Sequence, residues 1–146
     1  MTPVLESRAL PIYDRMLAQI DTDYMILTSQ QCLCTDIVQV SMDGFRHVVR
    51  LPRIHEFAYQ HMDRVLMGNE VYGIEGGQFK YKSTIYGEEI TCVAGYDNRT
   101  IMCGTQIMKV GIYLWIEGQY QVIGQIRLQP QPAIDPVVFV QKLNDR

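Results

Sequence analysis

The 146-residue chain lacks the features that most readily assign a ligand, and each absence narrows the field. No apolar run approaches the roughly 18 residues that a transmembrane helix needs. The opening residues Met1-Thr2-Pro3-Val4-Leu5-Glu6-Ser7-Arg8 carry no basic region followed by an apolar one, which argues against a secretory signal and for a cytoplasmic setting. Basic charge is scarce: 13 Lys and Arg face 16 Asp and Glu, for a net charge of −3, with no clustered basic window. Binding to nucleic-acid phosphates is therefore disfavoured.

Residues suited to metals and nucleophilic catalysis are equally thin. Of the four cysteines, Cys32 and Cys34 stand two apart, closer than zinc-ligand pairs usually do, and all four are expected to act as small reduced hydrophobes. The three histidines are His47, His55 and His61. On a helix, His55 and His61 fall on different faces, unlike a zinc-binding pair spaced i and i+4. There is no Gly-x-Ser-x-Gly elbow, Gly73-Ile74-Glu75-Gly76-Gly77 lacks the Lys-Ser/Thr end of a phosphate loop, and Glu88-Glu89 sits in a loop as a solvated pair. No catalytic residue, metal or cofactor is assigned, and the chain is not expected to be an enzyme.

What is present is an ordinary globular composition, 47% hydrophobic and 20% charged, which at this length suits a single domain over residues 1–146. Leu10, Tyr13, Met16, Leu17 and Ile20 share one helical face, predicting a first helix from about Leu10 to Ile20. Tyr24 to Thr28 and Cys32 to Val40 are β-rich runs that predict a hairpin. From Pro52 to Met67, the spacing of Ile54, Phe57, Ala58, His61, Met62, Val65 and Leu66 predicts a middle helix stopped at Gly68-Asn69. Glu70 to Leu128 breaks into six short β-rich runs divided by Gly or Asn, an antiparallel meander. A closing helix is expected from Pro132 through Leu143. The predicted fold is α/β: a central antiparallel sheet of about six to seven strands, with N- and C-terminal helices on one face and the middle helix on the other.

Three stretches carry a family resemblance. Val65 to Tyr81, with its Gly76-Gly77-Gln78-Phe79-Lys80-Tyr81 turn, Gln106-Ile107-Met108-Lys109-Val110-Gly111-Ile112-Tyr113, and the terminal Val137 to Asp145 resemble profilins. Leu10-Pro11-Ile12-Tyr13 lies where profilins have Trp-x-x-Tyr. The resemblance implies a cytoskeletal, cytoplasmic, monomeric protein that binds monomeric actin and regulates filament assembly, with a second face for proline-rich proteins and some affinity for phosphoinositides. Carried onto this chain, the actin face falls on Lys80, Lys82, Arg99 and Lys109, and the proline-rich ligand on Tyr13.

Two departures qualify that expectation. Met102-Cys103-Gly104 stands where many profilins have a Lys-Lys-Thr turn, so actin binding is expected to be weak or differently wired, and Leu10 replaces the first aromatic, so proline-rich binding is expected to be weak or altered. Glu117 to Pro132 is longer than the family's usual connection and reads as an added hairpin. Arg46, Arg50 and Arg53 offer a phosphoinositide patch, or more simply a solvated rim. The alternative is a longin-like or roadblock-like α/β adaptor, mediating protein–protein interaction or dimerisation.

Overall fold

The computed structural model describes residues 10–128. Among them lie twelve strands and no helix: β1 (Arg15–Ile20), β2 (Tyr24–Ser29), β3 (Cys34–Ser41), β4 (Gly44–Leu51), β5 (Tyr59–His61), β6 (Arg64–Met67), β7 (Glu70–Glu75), β8 (Gln78–Thr84), β9 (Ile90–Gly95), β10 (Thr100–Thr105), β11 (Lys109–Ile116) and β12 (Gln119–Arg127). They form three four-stranded sheets, β1 to β4, β5 to β8 and β9 to β12, in which each strand pairs only with its neighbours in sequence. The expected α/β sandwich is thereby corrected to an all-β architecture. The predicted closing helix lies outside the described residues.

Each sheet by itself is a four-stranded meander, the unit that β-propellers also repeat. The first strands begin at Arg15, Tyr59 and Ile90, too unevenly spaced to show as a sequence period. The described residues fall into two compact units, one running up to Ala58 with Glu75–Phe79, the other made of Tyr59–Ile74 and the residues from Lys80 onward.

The first unit is built on β3, whose residues Cys34 to Val38 are all buried. Neighbouring strands set Ile26, Ile37 and Val49 side by side on one face of the sheet, and Ile20, Ile26 and Ile37 are at most 1% exposed. Burying each such side chain contributes about 1.5–3 kcal/mol. Two of the predicted helices are strands for identifiable reasons. In the first, residues 15–20 pair along β2 from Arg15↔Thr28 to Ile20↔Tyr24, a partner that helical periodicity alone does not reveal. In the second, Val65-Leu66-Met67 is a continuous apolar run, and all three residues are 0% exposed in the short strand β6. Buried strands and buried helical turns cannot be told apart by periodicity in a run this short.

The loop before β5 is held by side chains instead of helical bonds. Thr35 Oγ1 donates to the Arg53 carbonyl at 2.8 Å and accepts from the His55 backbone N–H at 3.1 Å. In the second unit Asn69 does similar work: its Nδ2 donates to the Ile85 and Glu88 carbonyls at 2.7 and 3.1 Å, and its Oδ1 accepts from the Ile90 N–H at 2.9 Å. The β-rich runs predicted from Glu70 to Leu128 coincide with β7 to β12, but the expected single meander is broken between β8 and β9, which belong to different sheets. Gly76-Gly77 (φ 58° and 78°) and Glu117-Gly118 (φ 49° and 84°) turn β7 into β8 and β11 into β12 with the left-handed backbone that tight hairpins require.

Candidate binding groove

Side chains alternate across a strand, so the face of the first sheet opposite Ile37 carries Asp36, Val38 and Val40. Their cross-strand partners share that face: Leu27 and Arg50 flank Asp36, Met25 and His47 flank Val38, and Phe45 stands opposite Val40. Tyr13, just ahead of β1, reaches the same face. The result is an apolar groove of about 340 Å³ lined by Leu10, Pro11, Tyr13, Met25, Leu27, Val38 and Phe45.

Asp36 anchors one wall. Its carboxylate is 0% exposed and takes a two-pronged contact from Arg50, with Nε at 2.8 Å from Oδ1 and Nη2 at 2.9 Å from Oδ2. Tyr13 donates its hydroxyl to Oδ2 at 2.6 Å, and His47 Nε2 lies 3.5 Å from Oδ1. Burial alone would raise the carboxyl pKa, but the hydrogen bonds from Arg50 and Tyr13 outweigh it and hold Asp36 down at about 2. Burial, then the Asp36 carboxylate, pushes the Tyr13 hydroxyl well above the ordinary tyrosine range, and the same two causes raise the Cys34 thiol. Asp36 is thus an ionised group balanced by Arg50, and Tyr13 is a ring fixed at its far end.

A second polar cluster lies within the second unit. Arg64 Nε donates to the Tyr120 hydroxyl oxygen at 2.9 Å, and that hydroxyl donates to His61 Nδ1 at 2.6 Å. His61 Nε2–H donates to the Asp97 carbonyl at 2.5 Å, and Arg64 Nη2 donates to the Asn98 carbonyl at 2.8 Å. The guanidinium stacks 4.6 Å from the centre of the Trp115 ring, which meets Tyr120 edge-on at 4.7 Å. Arg64 Nη2 also lies 3.1 Å from His61 Nδ1, and because a guanidinium only donates, Nδ1 accepts and the imidazole is neutral. Burial, aided by the neighbouring Arg64 charge, lowers the His61 pKa despite its bond to the Asp97 carbonyl. Burial also lifts Tyr120 to about 12, against the opposing pull of Arg64. The cluster ties the β9–β10 turn to β5, β6 and β12.

Comparison with protein-family models, curated proteins and solved structures gives no match.

The residues expected to form an actin face are only partly brought together. Lys80 and Lys82 lie two apart on β8, exposed and on one face of the strand. Arg99 sits in the β9–β10 turn, donating to the Trp115 carbonyl at 3.3 Å. Lys109 begins β11 at the other end of the β10–β11 hairpin, in a 3.1 Å ion pair with Glu88. Arg46, Arg50 and Arg53 do not form a common cationic patch: Arg46 binds Gln39, Arg50 binds Asp36, and Arg53 Nε approaches His55 Nε2 at 3.4 Å. The four cysteines are free thiols, and among the described residues no group of three or more His, Cys, Asp or Glu could hold a metal.

Tyr13 does lie at a groove, but sequence reasoning missed its companions. Asp36 carried a usable signal. A lone carboxylate inside Cys34-Thr35-Asp36-Ile37-Val38 must be paired if that run is buried, and Arg50 is the cross-strand partner.

Proposed function

We propose that this chain is a non-catalytic protein-binding module whose first-unit groove takes an extended, proline-rich segment of a partner. The observation that carries the reading is Tyr13: its ring lines an apolar groove together with Phe45, and its hydroxyl is already fixed on Asp36. A polyproline II segment has little entropy to lose and docks on aromatic-lined grooves, so a ring held rigid before binding lowers the ordering cost further. The chemistry of the wall favours binding over catalysis. Tyr13 and Cys34 are both pushed toward their protonated forms, the reverse of what a nucleophile needs.

The test is calorimetric titration of the full chain with an oligoproline peptide, repeated with Phe45→Ala, which removes one ring without touching Asp36. Saturable binding that the variant weakens about tenfold supports the reading. No heat of binding at millimolar peptide refutes it.

A second reading is actin-monomer binding. It is favoured by Lys80 and Lys82 on one exposed strand face, where they could complement an acidic surface and speed association. Co-sedimentation with monomeric actin, with and without Lys80→Glu and Lys82→Glu, decides it: a one-to-one complex lost in the double variant supports this second reading, and no complex removes it.

A further inference from the structure

The groove has two unlike ends, and the register of β3 against β4 sets them. Asp36, Val38 and Val40 face it from β3, and their partners Arg50, His47 and Phe45 face it from β4. A register shift between Ile37 and Val38 gives β4 one extra residue, which brings Arg50 onto the same face as His47. From Asp36 to Val40 the strand advances about 13 Å, the length of about four residues of a polyproline II helix.

The Asp36 end is polar, and its polarity has a direction. The carboxylate is 0% exposed, whereas the Arg50 side chain that covers it is 44% exposed. Two of the guanidinium's five N–H groups are spent on Asp36, one from Nε and one from Nη2. Among the described residues Arg50 has no other hydrogen-bond or ion-pair partner, so the Nη1 donors remain available. The pair is neutral as a whole, but its negative end is buried and its positive end is at the surface. An anion on the outer edge of the guanidinium lies nearer to that charge than to the carboxylate behind it, and is attracted. At the other end Phe45, 40% exposed, adjoins the β3–β4 turn, which carries the exposed Asp43.

We propose that the groove selects a proline-rich segment with a carboxylate at one end of its core, received by Arg50, while Phe45 takes prolines at the other end. The inference rests on the groove reading above and adds the partner's charge to it. Charge complementarity chooses this occupant. A segment flanked by Lys or Arg meets Arg50 as a like charge, and its gain at Asp43 is confined to an exposed turn where pairing is weak. His47, which shares the face, is neutral or positive in either protonation state and does not repel a carboxylate.

Calorimetric titration of the full chain tests the proposal with hexaproline, with hexaproline carrying a pair of aspartates at its amino or its carboxyl end, and with the lysine counterparts. The expected result is that one aspartate peptide binds about three- to fivefold more tightly than hexaproline, the gain of a half-exposed ion pair, and that no lysine peptide does. The gain should shrink as the ionic strength is raised from about 0.1 M to about 1 M. In Arg50→Gln the ratio of the two affinities should fall to about one; both are measured on the same variant, so general damage to the groove cancels. If that variant does not fold, the salt series and the lysine peptides on the unchanged chain still decide. Hexaproline binding without any gain from aspartate overturns this inference and leaves the groove reading standing. So does tighter binding of a lysine peptide, or a gain that survives high salt or Arg50→Gln. No binding of any peptide overturns both.

Discussion

Replacing Asp36 by Asn removes the groove's buried charge and almost nothing else, which makes its cost calculable. The wild-type carboxylate accepts three hydrogen bonds, two from Arg50 and one from Tyr13. An amide keeps one oxygen; whichever way it is turned, its NH₂ faces one Arg50 donor, so one charge-assisted bond is lost. Such a bond is worth about 1.5–3 kcal/mol, and the Arg50 side chain, 44% exposed, can turn to water for compensation, so the expected loss is about 1.5–2 kcal/mol. The acid side provides a second signature. Asp36 titrates at about 2 when folded, below its ordinary 3.8. Its contribution is therefore complete above about pH 4 and disappears as the pH falls toward about 2. Hydrogen exchange at the β3 amides, measured near neutrality and in acid for both proteins, should show a gap that closes at low pH. A gap below about 0.5 kcal/mol at neutral pH, or one that persists unchanged at about pH 2, would refute the reasoning.

The second unit offers three further tests. Tyr120→Phe removes the hydroxyl that accepts from Arg64 and donates to His61, and should cost about 2 kcal/mol in urea unfolding followed by Trp115 fluorescence. Because His61 is held neutral with its pKa lowered, the stability it lends is complete above its unfolded pKa of about 6.5 and is lost as the pH falls below it. In NMR titration its ring resonances should move at a lower pH in the folded chain than in the unfolded one. Gly95→Ala would place a methyl 3.0 Å from the Tyr59 hydroxyl and 3.3 Å from His61 Cδ2, and should cost about 1–2 kcal/mol by thermal melting.

The sequence was informative where turn chemistry and strand alternation agree. The runs from Glu70 to Leu128, cut at Gly76-Gly77 and Glu117-Gly118, became β7 to β12 with ends displaced by a few residues. The middle segment concealed its hairpin because the turn between β5 and β6 is Met62-Asp63, with Met62 at φ 60°, where Gly or Asn would ordinarily mark a left-handed backbone. β4 was hidden because Arg46, His47 and Arg50 break the apolar alternation, although two of those three face Asp36. Of the groove, Tyr13 alone is singled out by the sequence, as a residue of a proline-rich ligand site that the groove does not itself test. Phe45, Met25 and Leu27 depend on strand register, which no local pattern supplies.

Pairing each strand only with its neighbour in the chain also shapes how the protein can be made. The contacts that define a sheet close over a hairpin's length, so the slow search for distant partners that delays many all-β proteins is largely avoided. On the ribosome, the first sheet has every strand it needs once Leu51 has emerged, before any residue of the second is available. Assembly can thus run from the N-terminus one meander at a time, with β12 the last of the twelve strands to be synthesised.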